Sequence, residues 1–271
     1  MSGVTLRWIS ETADRLFPFA LAESWDNCGI QVGDPDGLVT GIVFCLDPSP
    51  TTVRYASRQG CNLLVCHHPL ILEPLRSIRT DSYVGRVVLE AAASGTAILS
   101  LYTNLDAGPG GLNDRLTELT GLKNVITPEG AACARIGELQ APMSLGALAL
   151  KTAADLGLPT VRTVGPHHRE VLKVFLAAGS GMGYMGAAVR SGCDVMLTGD
   201  VRYHAAHEAL ELGMPVIDAG HFGLEKQAPA LLEERFSGEF ERLGVVVKCV
   251  VCDIEPDPFQ TLCEKPRRSA S

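Results

Sequence analysis

The chain has 271 residues, 46% apolar and 20% charged, and its 23 basic and 31 acidic side chains give a formal charge of −8. This composition excludes a disordered chain, because enough apolar surface is available to build a core. It also argues against a general nucleic-acid binder, which needs basic charge to displace counterions from phosphate.

The length allows about one or two domains. No uninterrupted apolar run reaches the roughly 18 residues of a membrane span. The opening segment MSGVTLRWISETADRLF has an amphipathic helical pattern, without the basic start and apolar middle of a signal peptide. The expected location is therefore the cytoplasm.

Short β-rich runs alternate with helical ones. A helix is expected over 5–17, a strand over 41–46, a helix over 51–58 and a strand over 62–66. Next come a helix over 83–93 stopped by Gly95, a strand over 96–101 and a helix over 111–120 followed by glycine. Residues 122–134 are looser. The pattern resumes with a strand over 135–140, a helix over 145–156, and strands over 160–164 and 171–177. A helix over 182–191, a strand over 194–197, a helix over 204–212, a strand over 215–218, a helix over 224–236 and a strand over 245–250 complete it. Such alternation predicts an α/β fold with mainly parallel sheets. The expected division is a first lobe over 1–125, a second over 126–254 and a loose, proline- and charge-rich tail over 255–271.

The nine cysteines are an odd number, and most sit among apolar neighbours. They are expected to be free, buried hydrophobes. Cys249-x-x-Cys252 lies inside a strand pattern, has no matching second pair, and is read the same way.

Four polar clusters follow predicted strands, where open parallel sheets form their ligand sites. They are Cys66-His67-His68-Pro69, Thr103-Asn104-Leu105-Asp106, Thr198-Gly199-Asp200 running on to His204, and Gly220-His221 running on to Glu225. His221 and Glu225 are four apart, so on a helix both can grip one ion. Imidazole with carboxylate suits zinc, iron, manganese or nickel. Together the donors suffice for two ions with open positions.

Each cluster also has a plainer reading. A His-His pair after a strand is often a hydrogen-bonded loop feature. Asp106 and Asp200 each suit a helix cap. His221 and Glu225 suit an exposed helix pair, His204 and His207 a helix surface, and His167-His168 a solvated turn. The glycine-rich Gly179-Ser180-Gly181-Met182-Gly183 reads first as a tight strand–helix turn and second as an anion site, lacking the full P-loop and dinucleotide patterns. A GxSxG nucleophile motif is absent.

With these residues in view, the sequence resembles the Nif-three-like dinuclear metal-centre proteins, related to type 2 GTP cyclohydrolase I. The matching segments are ESWDNCGIQVGD, LLVCHHPL, YTNLDAGPGGLNDRL, LTGDVRYHAAHEALELG and VIDAGHFGLEK, in the family's order. The resemblance implies His67, His68, Asp106, His221 and Glu225 as ligands of two divalent ions. It implies two similar, intertwined α/β lobes with the metal cleft between them, and a ring-shaped homohexamer. Some relatives carry an extra inserted domain, for which this chain is too short. The family usually has histidine where this chain has Tyr102, which is a poor metal ligand while protonated but a possible hydrogen-bond donor to substrate.

The implied activity is metal-dependent hydrolysis of a nucleotide such as GTP. Asp200 and His204 are then candidates for proton transfer or ligand orientation, and Arg76, Arg79 or Arg202 for holding phosphate. The competing reading is a non-catalytic metal-binding or regulatory assembly, or an interaction scaffold.

Overall fold

The computed structural model describes residues 3–262. Its elements run, in chain order, α1 (Leu6–Leu16), β1 (Gly29–Val32), β2 (Ile42–Cys45), α2 (Pro50–Arg58), β3 (Leu63–Cys66), α3 (Tyr83–Ser94), β4 (Ala97–Ser100), α4 (Thr103–Ala107), α5 (Leu112–Thr120), β5 (Lys123–Ile126) and β6 (Arg135–Ser144). Then follow α6 (Leu145–Asp155), β7 (Arg162–Val164), β8 (Glu170–Leu176), α7 (Met185–Arg190), β9 (Val195–Thr198), α8 (Tyr203–Glu211), β10 (Val216–Asp218), α9 (His221–Glu225), α10 (Ala228–Leu243) and β11 (Cys249–Val251).

Local chemistry explains many of the boundaries. Ser49 caps α2 in a reciprocal box with Thr52, and Pro50 sits in the first turn, where a missing N–H costs nothing. Gly95 and Gly121 close α3 and α5 in the left-handed conformation.

The strands form two sheets, ordered β1-β4-β3-β2-β11 and β5-β6-β8-β9-β10-β7. Parallel pairing joins β4, β3, β2 and β11 in the first and β8, β9 and β10 in the second. Antiparallel strands β1, β5 and β7 close the other edges.

The central strands are apolar on both faces because both faces are covered. Ile42, Phe44, Leu63 and Val65 face inward to a core shared with α1, α5, α6 and α10 and with Leu176, Leu197 and Ile217 of the second sheet. Val43, Cys45, Leu64 and Cys66 face outward under α2 and α3. Phe175, Met196 and Val216 do the same under α7 and α8. Phe236 of α10, fully buried, packs against Phe44 with ring centroids 5.4 Å apart. Burial of one such side chain contributes about 1.5–3 kcal/mol, so this inner layer ties the two sheets into one core.

The structure departs from the sequence expectations in short or exposed pieces. The helix expected over 182–191 starts as a 3-10 turn over Gly181–Tyr184 and becomes α-helical only at Met185. The helix expected over 224–236 is two helices, α9 and α10. Pro229 stands in the first turn of α10, where a proline can begin a helix but not continue one. The last strand is three residues, not six. The CxxC pair lies at this strand, and all the cysteines of the described residues are free. In the expected tail, residues 255–262 form no helix or strand, though Glu255 accepts hydrogen bonds from the backbone of Leu46 and Asp47, both 2.8 Å. Residues 263–271 lie outside the described residues. Among the described residues, no helix is long and apolar enough to cross a membrane.

Candidate metal centre

The carboxyl ends of the parallel strands of both sheets supply the side chains of one cluster. Asp47 follows β2, His67 and His68 follow β3, and Tyr102 and Asp106 follow β4. From the second sheet, Gly179 follows β8, Asp200 follows β9, and α9 after β10 begins with His221 and ends with Glu225.

Glu225 lies at the centre. Its Oε2 is 2.8 Å from Nε2 of His68, 2.8 Å from Nε2 of His221 and 3.8 Å from Nε2 of His67. Nε2 of His221 and Nε2 of His68 are 3.3 Å apart. On the other side, Oδ1 of Asp106 is 3.8 Å from Nε2 of His67. All five side chains named from the sequence therefore gather at one place.

Each imidazole is held through its other nitrogen. Nδ1 of His67 bonds to the Leu101 carbonyl at 3.0 Å, Nδ1 of His68 to Asp47 at 2.8 Å and Nδ1 of His221 to Asp200 at 2.8 Å. This pattern turns every Nε2 toward the cluster, the arrangement that metal-binding histidines need.

A divalent ion fits this donor set. Among the described residues, Nε2 of His67 and Oδ1 of Asp106 are buried with no hydrogen-bond partner, and such orphaned atoms cost free energy unless something binds them. Donors around one small ion, each about 2.0–2.2 Å from it, stand about 2.8–3.6 Å apart. The His68, His221 and Glu225 atoms have that spacing, and the His67 and Asp106 atoms are slightly wider. Atoms of His67, His68 and Glu225 all lie within 4.8 Å of one another, a group able to hold a metal ion.

Protons take up the charge when no cation does. Burial alone would lower the His68 pKa, but hydrogen bonds to Asp47 and Glu225 raise it from 6.5 to about 10. The Glu225 hydrogen bond lifts His221 from 6.5 to about 9 against the effect of burial. Burial lifts the Asp106 carboxyl from 3.8 to about 7, opposed by the His67 charge. Glu225 is buried too, yet the His221, His67 and His68 imidazoles around it hold its carboxyl well below the usual range.

The backbone makes room for the cluster. A Cβ on Gly179 would stand 2.2 Å from Oε1 of Glu225, and its φ of +56° already favours glycine. A Cβ on Gly199 would meet the backbone of Gly220 and His221 at 2.7 Å. The glycine-rich run after β8 thus works as a close-approach turn. Gly181 N–H donates to Thr198 Oγ1 at 2.9 Å.

Asn113, fully buried, donates to the Asp106 carbonyl at 3.1 Å and the Cys133 carbonyl at 3.2 Å, and accepts from Ala178 N–H at 2.9 Å. It joins the Asp106 turn to the strand end of the second sheet. Sequence reasoning did not single out Asn113 or Asp47. Asp47 carried a usable signal, since it follows GIVFCL as the other clusters follow their strands. Asn113 carried none, because its partners are backbone atoms distant in sequence.

Asp200 reaches His221 from a left-handed backbone with φ of +52°, sparsely populated for non-glycine residues. His204 lies exposed on α8 with its ring 5.4 Å from Tyr203. Arg76 is exposed on the loop after β3. Nε2 of His167 bonds to Thr163 at 2.8 Å, away from the cluster. The Tyr102 ring meets His67 and His68 edge-on, with centroids 5.3 and 5.7 Å away.

Comparison with known proteins adds an independent line. A family model described as Duf34/NIF3 (NGG1p interacting factor 3) matches residues 4–258. A Clostridium perfringens protein named GTP cyclohydrolase 1 type 2 homolog is 31% identical over 249 residues, covering 90% of this chain and 94% of that one. A Lactococcus lactis protein of the same name is 31% identical over 213 residues, covering 77% and 82%. Among solved structures, a Staphylococcus aureus hypothetical protein superposes with a TM-score of 0.90 at 26% identity, over 96% of this chain and 100% of that one. Reduced HcgD from Methanocaldococcus jannaschii gives a TM-score of 0.77 at 25% identity, over 93% and 98%.

Proposed function

The chain belongs to the Duf34/NIF3 family, and on that footing we propose that it is a metal-dependent hydrolase acting on a nucleotide of the GTP kind. His67 and Asp106 would hold one divalent ion, His68 and His221 a second, and Glu225 would serve both. Zinc, iron, manganese and nickel all suit these donors. The observation that carries the reading is the pair of buried atoms, His67 Nε2 and Asp106 Oδ1, that have no hydrogen-bond partner among the described residues. The name shared by the curated relatives supports the substrate class.

Bound there, two ions would supply Lewis acidity and lower the pKa of water toward neutrality. The chain's own residues do the rest. Asp47 and Asp200 keep His68 and His221 in register through Nδ1. Burial, then the charges of Glu225 and Asp106, push up the Tyr102 pKa, so its phenol stays protonated and can donate to substrate. Asp200, half exposed beside His221, is the better placed of the two proton-transfer candidates; His204 lies on the surface of α8. Arg76 can meet phosphate only from the exposed loop after β3.

The test is metal analysis with turnover. Reloaded protein should carry about two divalent ions per chain and lose them in Glu225→Ala. Metal-loaded protein should open or hydrolyse GTP or another member of a nucleotide panel. Absence of turnover, or equal turnover in His67→Ala/His68→Ala, sinks the catalytic reading.

The family description refers to interaction with another protein, and this favours a second reading as a non-catalytic metal-binding or regulatory assembly. A ring-shaped homohexamer fits either reading, and the exposed Leu72, Leu75 and Ile78 after β3 offer apolar surface for it. Light scattering that finds a monomer would remove the ring. A cytoplasmic location goes with both readings and is checked by fractionation of the source cells.

A further inference from the structure

We propose that Trp25 and Tyr102 form an aromatic wall at the mouth of the metal centre, and that the wall stacks the planar nitrogen heterocycle of the substrate. The inference rests on the reading of this cluster as a nucleotide site and adds the residues that recognise the base.

An aromatic path leads from the metal-binding imidazoles to the surface. The Tyr102 ring stands edge-on to His67 and His68, at interplanar angles of 71° and 84°. Trp25 in turn stands edge-on to Tyr102, with centroids 5.8 Å apart and an angle of 75°. Trp25 is 54% exposed. An indole this open to water contributes little to the core, since its apolar area is what burial would have stabilised. The other tryptophan, Trp8, is half-buried and stacked on Phe240.

The backbone around Trp25 is nevertheless held on both sides. Glu23 N–H donates to Thr103 Oγ1 at 2.9 Å. Thr103 donates to Asp26 Oδ2 from its N–H at 3.0 Å and from its hydroxyl at 2.6 Å. The Asn27 amide donates to the Ile71 carbonyl at 2.6 Å. The segment is thus tied to the turn that carries Asp106, and the exposed indole does not hang from a free loop. Oδ1 of Asp26 is buried without a partner among the described residues, an acceptor suited to a ring N–H or exocyclic amine.

Charge sorts the two ends of such a ligand. Glu23 and Asp26, which flank Trp25, would repel an anionic group there, whereas Asp106 and Glu225 would be neutralised by the ions they hold, so phosphate belongs on the cations and the uncharged ring on the wall. Stacking of a base on an aromatic side chain is worth enough to change affinity by about 5- to 100-fold.

Fluorescence tests this directly, because the chain has two tryptophans. In metal-loaded Trp8→Phe protein, Trp25 is the sole indole emitter. GTP and guanosine should quench it saturably, and inorganic tripolyphosphate should bind in competition with GTP without quenching. In the otherwise unchanged protein, Trp25→Ala should raise the Kd for GTP about 5- to 100-fold, with metal content and tripolyphosphate affinity unchanged and most of the loss recovered by Trp25→Phe. Equal GTP affinity in Trp25→Ala overturns the wall, as does equal quenching by tripolyphosphate. A changed oligomeric state with unaltered GTP affinity would make Trp25 a subunit contact and also overturns it. Quenching without turnover supports the wall and removes only the hydrolase reading. Turnover with unaltered affinity in Trp25→Ala removes only the wall.

Discussion

Three imidazoles reach the cluster with Nδ1 already engaged, so any metal affinity there would depend on residues that would touch no ion. Asp47→Ala or Asp200→Ala should lower divalent-ion affinity about 10- to 100-fold while leaving the fold intact, as competition with a chromophoric chelator would measure. Asp200→Asn should lose less, because asparagine tolerates the left-handed backbone and still accepts from His221. Proton competition sets the pH dependence. His68 and His221 titrate near about 10 and 9 without metal, so coordination must displace their protons. Affinity should rise with pH from 6 toward about 9, with protons released on binding; calorimetry in buffers of different ionisation heat would show it. These raised values also stabilise the metal-free fold. That contribution is complete below 6.5 and is lost as pH climbs through about 9 to 10. The Tm of chelator-treated protein should therefore fall over that range, and a flat Tm would contradict the protonated cluster. The five clustered side chains were legible in the sequence, because each follows a strand. Asn113, which bridges three backbone positions, was not.

At the scale of elements, the cluster depends on how closely three strand ends of the second sheet approach one another. Gly179→Ala would drive a Cβ to 2.2 Å from the central carboxylate. It should fold with native circular dichroism yet lose most of its bound metal. Gly238→Ala is the contrasting case. Gly238 lies inside α10 with nothing within 4 Å of its Cβ position, so alanine should stabilise the protein by about 0.5–1 kcal/mol with no effect on metal. Thermal unfolding with metal analysis on both variants separates local crowding from helix propensity. The long elements were readable from periodicity. β1 and α4 were not, being too short to show a period. β5 is exposed at every position, so it carries no hydrophobic pattern and exists only because β6 offers it an edge.

At the scale of the molecule, chain order and spatial order part company. After the second sheet is built, α10 crosses back to pack on β2, and β11 pairs in parallel with β2 at the edge of the first sheet. A fragment of residues 1–125 would lack both, leaving the β2 edge open and Phe44 without Phe236. It should be insoluble or molten, shown by loss of near-ultraviolet dichroism, and a cooperatively folded fragment would refute this. Composition and alternation by themselves determined an α/β protein with apolar strands covered on both faces and donors at the strand ends, because those properties are written in local periodicity and residue type. Only the tertiary structure decided that the donors of two sheets share one carboxylate, that Asp47 and Asp200 orient them, and that the last strand returns to the first sheet. Such contacts join residues as distant in sequence as Ile42 and Cys249, and their free energy comes from burial and pairing that no local segment contains.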